Sequence, residues 1–479
     1  MWKLAWRNLW RNKRRTIITT ASIVFAVIIA IVTRSFQIGT YNNMLNGIVE
    51  QFSGHIQIQQ RDYFRNPTID NSLKYDNKIK SILDNNPDVT VYVPRIQTGV
   101  LTSSGQISKV AFIVGCDVEK EKSYSLLDKK IARYKIDDNV INKLKTVIDS
   151  NGIKTLEQHK GYYRDVDNIK NTLLADNKNL DKYIDTIAGL SKFNGRYLHK
   201  NENGVLVGSK LAEYLNLTVG DSIIIIGQGY HGTTAIGKYP IVGLLHFPNP
   251  QFNATMIYMP LSTAQDLFSL YDDNDTTGYI SYISVNTIYP ASIRPVDYKG
   301  IEKVITDLKQ QINDKDIRVV GWKDLNKVLD QQISMDNISG QIMLYILYLI
   351  IGFSVFGTIM MMIAERRKEF GVMLAIGMQR KKIKAMLMDE ILMMTAMGII
   401  LGILITIPII LYGYHHPLRL GGQYADVYAM FNIEPIMPMA WFGSYMITQP
   451  LIVLVIIMLT ALYPRWYIRR LKVSNALRA

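Results

Sequence analysis

Four stretches of this chain carry almost no charge, and each is long enough to cross a lipid bilayer. They cover residues 17–38, 341–364, 391–413 and 441–463. A helix rises 1.5 Å per residue, so about 20 apolar residues cover roughly 30 Å of hydrocarbon. Lipid offers no partner to a bare N–H or C=O, which restricts such segments to helices. A mean hydropathy of +0.06 conceals them, because long stretches of soluble composition dilute the average. The first window is the most polar, with Thr19, Thr20, Ser22 and Arg34. No small-residue cleavage site follows its apolar run, so it reads as a retained span and not a signal peptide.

The cations decide the orientation. Residues 1–16, 364–386 and 464–479 together hold 18 Lys/Arg and two acids, while the whole chain is +14, so everything else is slightly acidic. Positive charge at span ends marks the cytoplasmic side. Both termini and the 365–390 segment are therefore expected in the cytoplasm, and residues 39–340 and 414–440 outside. The basic balance forms no separate domain, so no nucleic-acid partner is expected. One cysteine, Cys116, excludes an internal disulfide.

Within this frame, residues 1–16 read as an interfacial amphipathic helix. Trp2, Trp6, Leu9 and Trp10 recur at helical spacing, with Lys3, Arg7, Arg11 and Arg14 on another face, toward membrane lipid. A plain basic flank is the alternative. Amphipathic patterns at about 38–53 and 322–340 predict stalk helices that extend the first two spans outward and pack together. Between them the sequence reads α+β, with strand-like runs HIQIQQ, VTVYVP, VAFIVGC, SIIIIG, YPIVGLL, TMIYMP and YISYISV. Helices are expected after Ser209 and near Ser262 as N-caps. Residues 125–190, rich in Lys, Asp and Asn, read as an inserted helical lobe. A cytoplasmic tail, 464–479, closes the chain.

No catalytic constellation and no metal site emerge. GTTAIGK, Gly232 to Lys238, matches the first seven places of a phosphate-binding loop, but Tyr239 stands where Ser or Thr belongs, and a strand-like run follows where a helix is needed. A Gly-containing hairpin is expected there.

Residues 364–390, AERRKEFGVMLAIGMQRKKIKAMLMDE, pack eleven charges between two spans. From the residues alone, a docking helix and a solvated, topology-fixing turn are equally acceptable. Phe370, Met373, Leu374 and Gly377 fall on one face of a short helix and form an apolar knob. Glu390 opens the third span, a costly place for an acid without a partner. No cation stands three or four residues away, so the partner must come from another segment.

The segment ERRKEFGVMLAIGMQRKKIKAMLMDEILMMTAMG resembles the signature of the permeases of MacB, FtsX and LolC/LolE-type ABC transporters. The matching places are Arg367, Glu369, Gly371, Ala375, Gly377, Arg380, Lys381, Glu390 and Gly398. LAWRNLWRNKRRT is similar to the family's opening. YPRWYIRRLKVSNALRA is similar to its close, departing at Trp466, Tyr467 and Ser474. SGHIQIQQRDYF and GCDVEKE resemble the lipoprotein-releasing LolC/LolE branch.

This resemblance implies a four-span helical bundle with a MacB-like α+β extracytoplasmic domain between spans 1 and 2, in a bacterial inner membrane. It implies a non-enzymatic permease without its own cofactor, ATP and magnesium belonging to a cytoplasmic ABC ATPase subunit present in two copies. A coupling helix would carry Arg367, Glu369, Phe370, Gly371, Met373, Leu374, Gly377, Arg380 and Glu390. A second permease copy or paired homologue, and a periplasmic lipoprotein carrier, are the further partners implied. The expected function is ATP-driven lipoprotein release, with a lateral entrance at Ile38, Ile342, Ile346 and Leu349. MacB-like export of peptides or drugs, and FtsX-like regulation of a periplasmic partner, are the alternatives.

Overall fold

The computed structural model describes residues 2–11, 13–247, 250–271, 278–291, 295–420 and 436–470. Most of the expected 414–440 loop (421–435) and the end of the expected tail (471–479, with Ser474) lie outside the described residues. The chain divides into two compact units, Met1–Asn43 with Val328–Leu418 and Ile436–Ala479, and Met44–Lys327 with Arg419–Pro435.

The first unit is helical. Its helices are α1 (Trp2–Arg11), α2 (Lys13–Leu45), α3 (Lys327–Glu365), α4 (Arg367–Ala375), α5 (Arg380–His415), α6 (Tyr445–Thr460) and α7 (Leu462–Arg470). Four helical stretches, Lys13–Ser53, Lys327–Glu365, Arg380–His415 and Tyr445–Arg470, are long and apolar enough to cross a membrane. Among lipid tails the hydrophobic effect does not favour helix contact, so close packing has to hold them together. Small residues allow it. A Cβ on Gly398 would stand 2.7 Å from the Cβ of Ile23, and one on Gly402 would stand 2.8 Å from that of Val27. Helices α5 and α2 therefore touch nearly backbone to backbone.

Of the three glycines on α3, two stand in close contact: a Cβ on Gly340 would run into the Gln37 side chain of α2. A Cβ on Gly352 would meet Ile456 at 3.2 Å, whereas nothing lies within 4 Å of one on Gly357. In α1, Ala5 and Leu9 are buried while Trp6 and Trp10 remain about half exposed. Leu9 thus parts from the tryptophans it was grouped with, because positions 5 and 9 share the face that meets the bundle.

The two expected stalks are modified. Helix α2 runs on to Leu45, and Asn46–Ser53 then widens into a π-helix. The stretch 322–340 is not one helix: Trp322–Leu325 forms its own turn, and α3 starts at Lys327. Asn326 makes the break, its side-chain amide donating to the Trp322 carbonyl at 3.3 Å and to Ser53 Oγ at 3.0 Å. Side chains that bond nearby backbone compete with the helix in this way. Within the first unit, the last turns of α2 and the first of α3 lie side by side. Tyr41 donates to Asp336, and Arg34 to Asn337 Oδ1 at 2.7 Å.

The second unit is built on a nine-stranded mixed sheet. Its strands are β1 (Ile56–Gln60), β2 (Val89–Ser103), β3 (Ser108–Cys116), β4 (Val205–Gly208), β5 (Ser222–Gln228), β6 (Thr234–Leu245), β7 (Met256–Pro260), β8 (Tyr282–Thr287) and β9 (Ile317–Gly321). They lie in the order β9-β1-β8-β2-β3-β7-β4-β6-β5. Leu101–Ser103 of β2 also pairs with Ile224–Ile226 of β5, which closes six of the strands into a ring. Closure removes sheet edges that would otherwise invite pairing. GTTAIGK passes from a turn at His231 and Gly232, both at positive φ, into β6, so no helix follows it. Neither expected serine caps its helix: Gly208 and Pro260 hold the N-cap positions, and Ser209 is buried as the first helical residue.

The 125–190 region has a core of its own, which includes Ile136, Leu144, Leu156, Ile169, Leu173 and Leu180. Its aspartates have a local purpose. Asp137, Asp149 and Asp165 each accept a backbone N–H as the N-cap of the helix that follows, a role worth about 1 kcal/mol apiece. The incoming and outgoing chains meet: Lys135 N donates to the Ser191 carbonyl at 2.6 Å, and Tyr134 bridges Lys192.

Candidate coupling site

Helix α3 ends at Glu365, and Arg366 (φ −98°, ψ 12°) starts the reversal into the nine-residue α4. The far end of α4 closes on a glycine. Gly377 sits at φ +93°, Gly377 N donates to the Leu374 carbonyl at 3.1 Å, and Met378 N to the Met373 carbonyl at 2.9 Å. This pair of bonds is a Schellman closure, which requires a left-handed residue. Any side chain there costs roughly 1–2 kcal/mol. Gln379 then leads into α5.

Arg366 organises the site. It is 5% exposed and Glu390 is 1% exposed. Its Nη1 donates to Glu390 Oε1 at 2.9 Å and Oε2 at 2.8 Å, and its Nε donates to Glu369 Oε2 at 2.9 Å. Asn8 Nδ2 of α1 adds a bond to Glu390 Oε1 at 2.8 Å. Arg11 Nη2 of α1 reaches Glu369 Oε1 at 2.5 Å, and Arg15 Nη1 reaches Glu365 Oε2 at 2.8 Å. Three arginines and three glutamates thus join α1, the start of α2, α4, α5 and the end of α3, with the charges balanced. A buried carboxylate without this company would be strongly disfavoured. Partial burial alone would raise the Glu369 carboxyl, but bonds from Arg11 and Arg366 hold it below its usual range.

The apolar knob is not where its spacing put it. Phe370 is fully buried in the bundle core under the Arg366 guanidinium, and Met373 and Leu374 pack against the same core. Val372 and Ile376, 45% and 82% exposed, are the outward apolar side chains of the segment. The physical reason is that α4 lies against a bundle whose charge network closes over that face. Gly371 is buried, Arg367 is half-buried, and Arg380 is exposed and donates to the Arg469 carbonyl of α7. Ile342, Ile346 and Leu349 are each more than half exposed along one face of α3, while Ile38 is partly buried against the core. Arg366, Asn8 and Arg15 were not singled out from sequence, and Arg11, expected on the face toward lipid, is instead bonded to Glu369. The signal for Arg366 was the need of Glu390 for a partner.

Residues 341–473 match the family model described as FtsX-like permease C-terminal. None of the curated proteins matches the chain. Two solved structures overlap it at low identity. One is the extracellular domain of the noncanonic ABC-type transporter YknZ from Gram-positive bacteria, at 12% identity and TM-score 0.28, covering 56% of this chain and 99% of that one. The other is the periplasmic region of MacB from Actinobacillus actinomycetemcomitans, at 11% identity and TM-score 0.29, covering 60% and 95%.

Proposed function

We propose that this chain is the permease subunit of an ABC-type transporter, a mechanical transmitter that relies on a separate cytoplasmic ATPase, bound in two copies, for ATP and magnesium chemistry. The observation that carries the reading is the tether at Arg366. Inside the segment similar to FtsX-like permeases, a short charged helix hangs between two apolar helices, bound to α5 through Glu390 and to α1 through Glu369. Push on α4 and three helices respond together. Val372 and Ile376 are the apolar contacts offered to the ATPase, and Gly377 fixes how the segment turns away. Helices α2 and α3 continue unbroken to where the α+β unit begins and ends in sequence, giving the movement a route outward.

In this reading both termini face the cytoplasm of a bacterial inner membrane, and the α+β unit lies outside. Four spans make a poor conduit, so a second permease copy or a homologue completes the machine. The cargo is a lipoprotein, released to a soluble carrier. Its acyl chains hold it in the membrane by about 0.8 kcal/mol per buried CH₂, which makes unassisted release slow. The exposed stripe Ile342, Ile346 and Leu349 supplies an apolar surface for those chains, with Ile38 at its margin.

The test is reconstitution with the cognate ATPase and permease. Ile376→Asp is expected to abolish ATPase copurification with the chain still inserted; normal yield and normal cargo response would reject the coupling role. Ile346→Lys is expected to block transfer of a triacylated lipoprotein while hydrolysis persists. Stimulation by a peptide or drug and not by lipoprotein would replace release with export.

A further inference from the structure

A cavity of about 750 Å³ opens where α1 gives way to α2, against the last turns of α3. That is within the range of small-molecule sites. Its composition is graded. Arg11, Lys13, Arg14 and Arg15 line it together with a single acid, Glu365. Arg15 already holds Glu365, and Arg11 is engaged with Glu369. Lys13 and Arg14, both exposed, therefore put their charge into the cavity and the water beside it without an acid of the wall to absorb it.

Trp10 stands at the rim, 46% exposed. Ile18 and Met361, each 58% exposed, and Thr358 form the other end. Beyond them an apolar track continues. Phe25, seven residues past Ile18 on the same face of α2, is 64% exposed. Gly357, one turn from Met361 on α3, has open space where a side chain would stand.

We propose that this cavity holds the headgroup of an anionic phospholipid, its phosphate between Lys13 and Arg14 and its acyl chains laid along Ile18, Met361 and the gap at Gly357. The proposal rests on the membrane-spanning reading of α2 and α3. An amphipathic occupant is required, because the charged side chains are confined to one end and the other end, apart from Thr358, is apolar. A free phosphate would leave the track uncovered, and an acidic protein surface would leave it unfilled. Indole at headgroup depth is the ordinary place for tryptophan. Because Arg15 and Glu365 form one wall, a seated headgroup stiffens the joint between the start of α2 and the end of α3, next to the Arg366 tether. The membrane's anionic lipid then becomes a regulator of coupling.

The experiment places the full chain in phosphatidylcholine nanodiscs carrying a trace of phosphatidylglycerol or phosphatidylcholine, each with a photoreactive acyl chain, and maps the crosslinks. The phosphatidylglycerol probe is expected to label the turns around Ile18 and Met361 about fivefold more than the phosphatidylcholine probe, the ratio that roughly 1 kcal/mol of charge attraction gives. Lys13→Gln with Arg14→Gln is expected to erase that preference and leave labelling at exposed Leu451 of α6 unchanged. Equal labelling by the two probes, a preference that survives the double substitution, or displacement of the label by inorganic phosphate would each overturn the lipid site. Failure of both probes at Leu451 as well as at Ile18 would instead reject the membrane reading beneath it.

Discussion

Among the described residues each unit hides one arginine–glutamate pair, and the two pairs are built for different ends. In the α+β unit, Arg95 of β2 meets Glu121 at 3.0 and 2.6 Å, with both side chains at 0% exposure. The Phe52 carbonyl takes a further bond, and the Tyr124 ring lies 4.9 Å from the guanidinium carbon. Burial works against that charge, yet Glu121 holds the arginine's pKa above its usual value. In the helical unit, Arg366–Glu390 is almost as deep, but Arg366 also grips Glu369, whose side chain is 44% exposed and bound to the 54%-exposed Arg11. One pair is sealed on every side; the other leads from the core to the surface in two steps. A sealed pair can only hold a fold in register, whereas a graded one can carry a displacement made outside.

The strongest way to break this comparison is Arg95→Met. It strands Glu121 in a closed core and should cost the α+β unit about 3–5 kcal/mol, read as early unfolding by pulse proteolysis, while Arg95→Met with Glu121→Leu recovers much of it. A small loss from the single change would mean that Arg95 is not sealed. Next is acid. His246 follows β6, and its Nδ1 is buried without a hydrogen-bond partner. Burial, then Arg164 and Lys210, push it down to about 4, against the opposing pull of Asp165. The unfolded chain therefore takes up the proton first. Stability is intact above about pH 6.5 and falls by about 3 kcal/mol as pH drops to about 4. His246→Phe should flatten that part of the pH profile, and an unchanged profile would assign the acid sensitivity elsewhere.

Glu390→Ala should cost less, about 2 kcal/mol, because Arg366 keeps Glu369 as a partner. Thermal denaturation in detergent measures it, and a loss equal to that of Arg95→Met would erase the distinction between the pairs. Smallest in stability is Glu369→Gln, under about 1 kcal/mol for so exposed an acid, yet it removes the charge that links Arg366 to Arg11 and leaves α1 only the Asn8 bond to Glu390. If cargo-stimulated ATP hydrolysis survives it unchanged, the graded network transmits nothing.

Long, repetitive signals were the legible ones. Four helices long and apolar enough to cross a membrane declared themselves through twenty-residue apolar runs, and seven strand-like runs all fall in paired strands. Val205–Gly208 and Ile317–Gly321 were missed because four or five residues give too little alternation to read. The site was legible only as a segment. Glu390 pairs with residues 24 and 382 positions away, and no local spacing encodes such contacts. Phe370 was turned outward because a nine-residue helix has two plausible apolar faces, and the choice between them belongs to the bundle it rests on.

The 125–190 lobe closes on itself where Tyr134 bridges Lys192, so the chain that leaves for the lobe returns beside its point of departure. Such a loop behaves like a removable cassette. A two-residue turn could rejoin the strands, and the nine-stranded sheet would lose a neighbour without losing a strand. The lobe is thus free to change by descent, to be shortened, exchanged or given a new surface, at the expense chiefly of the contact that Tyr163 makes with His246 just after β6.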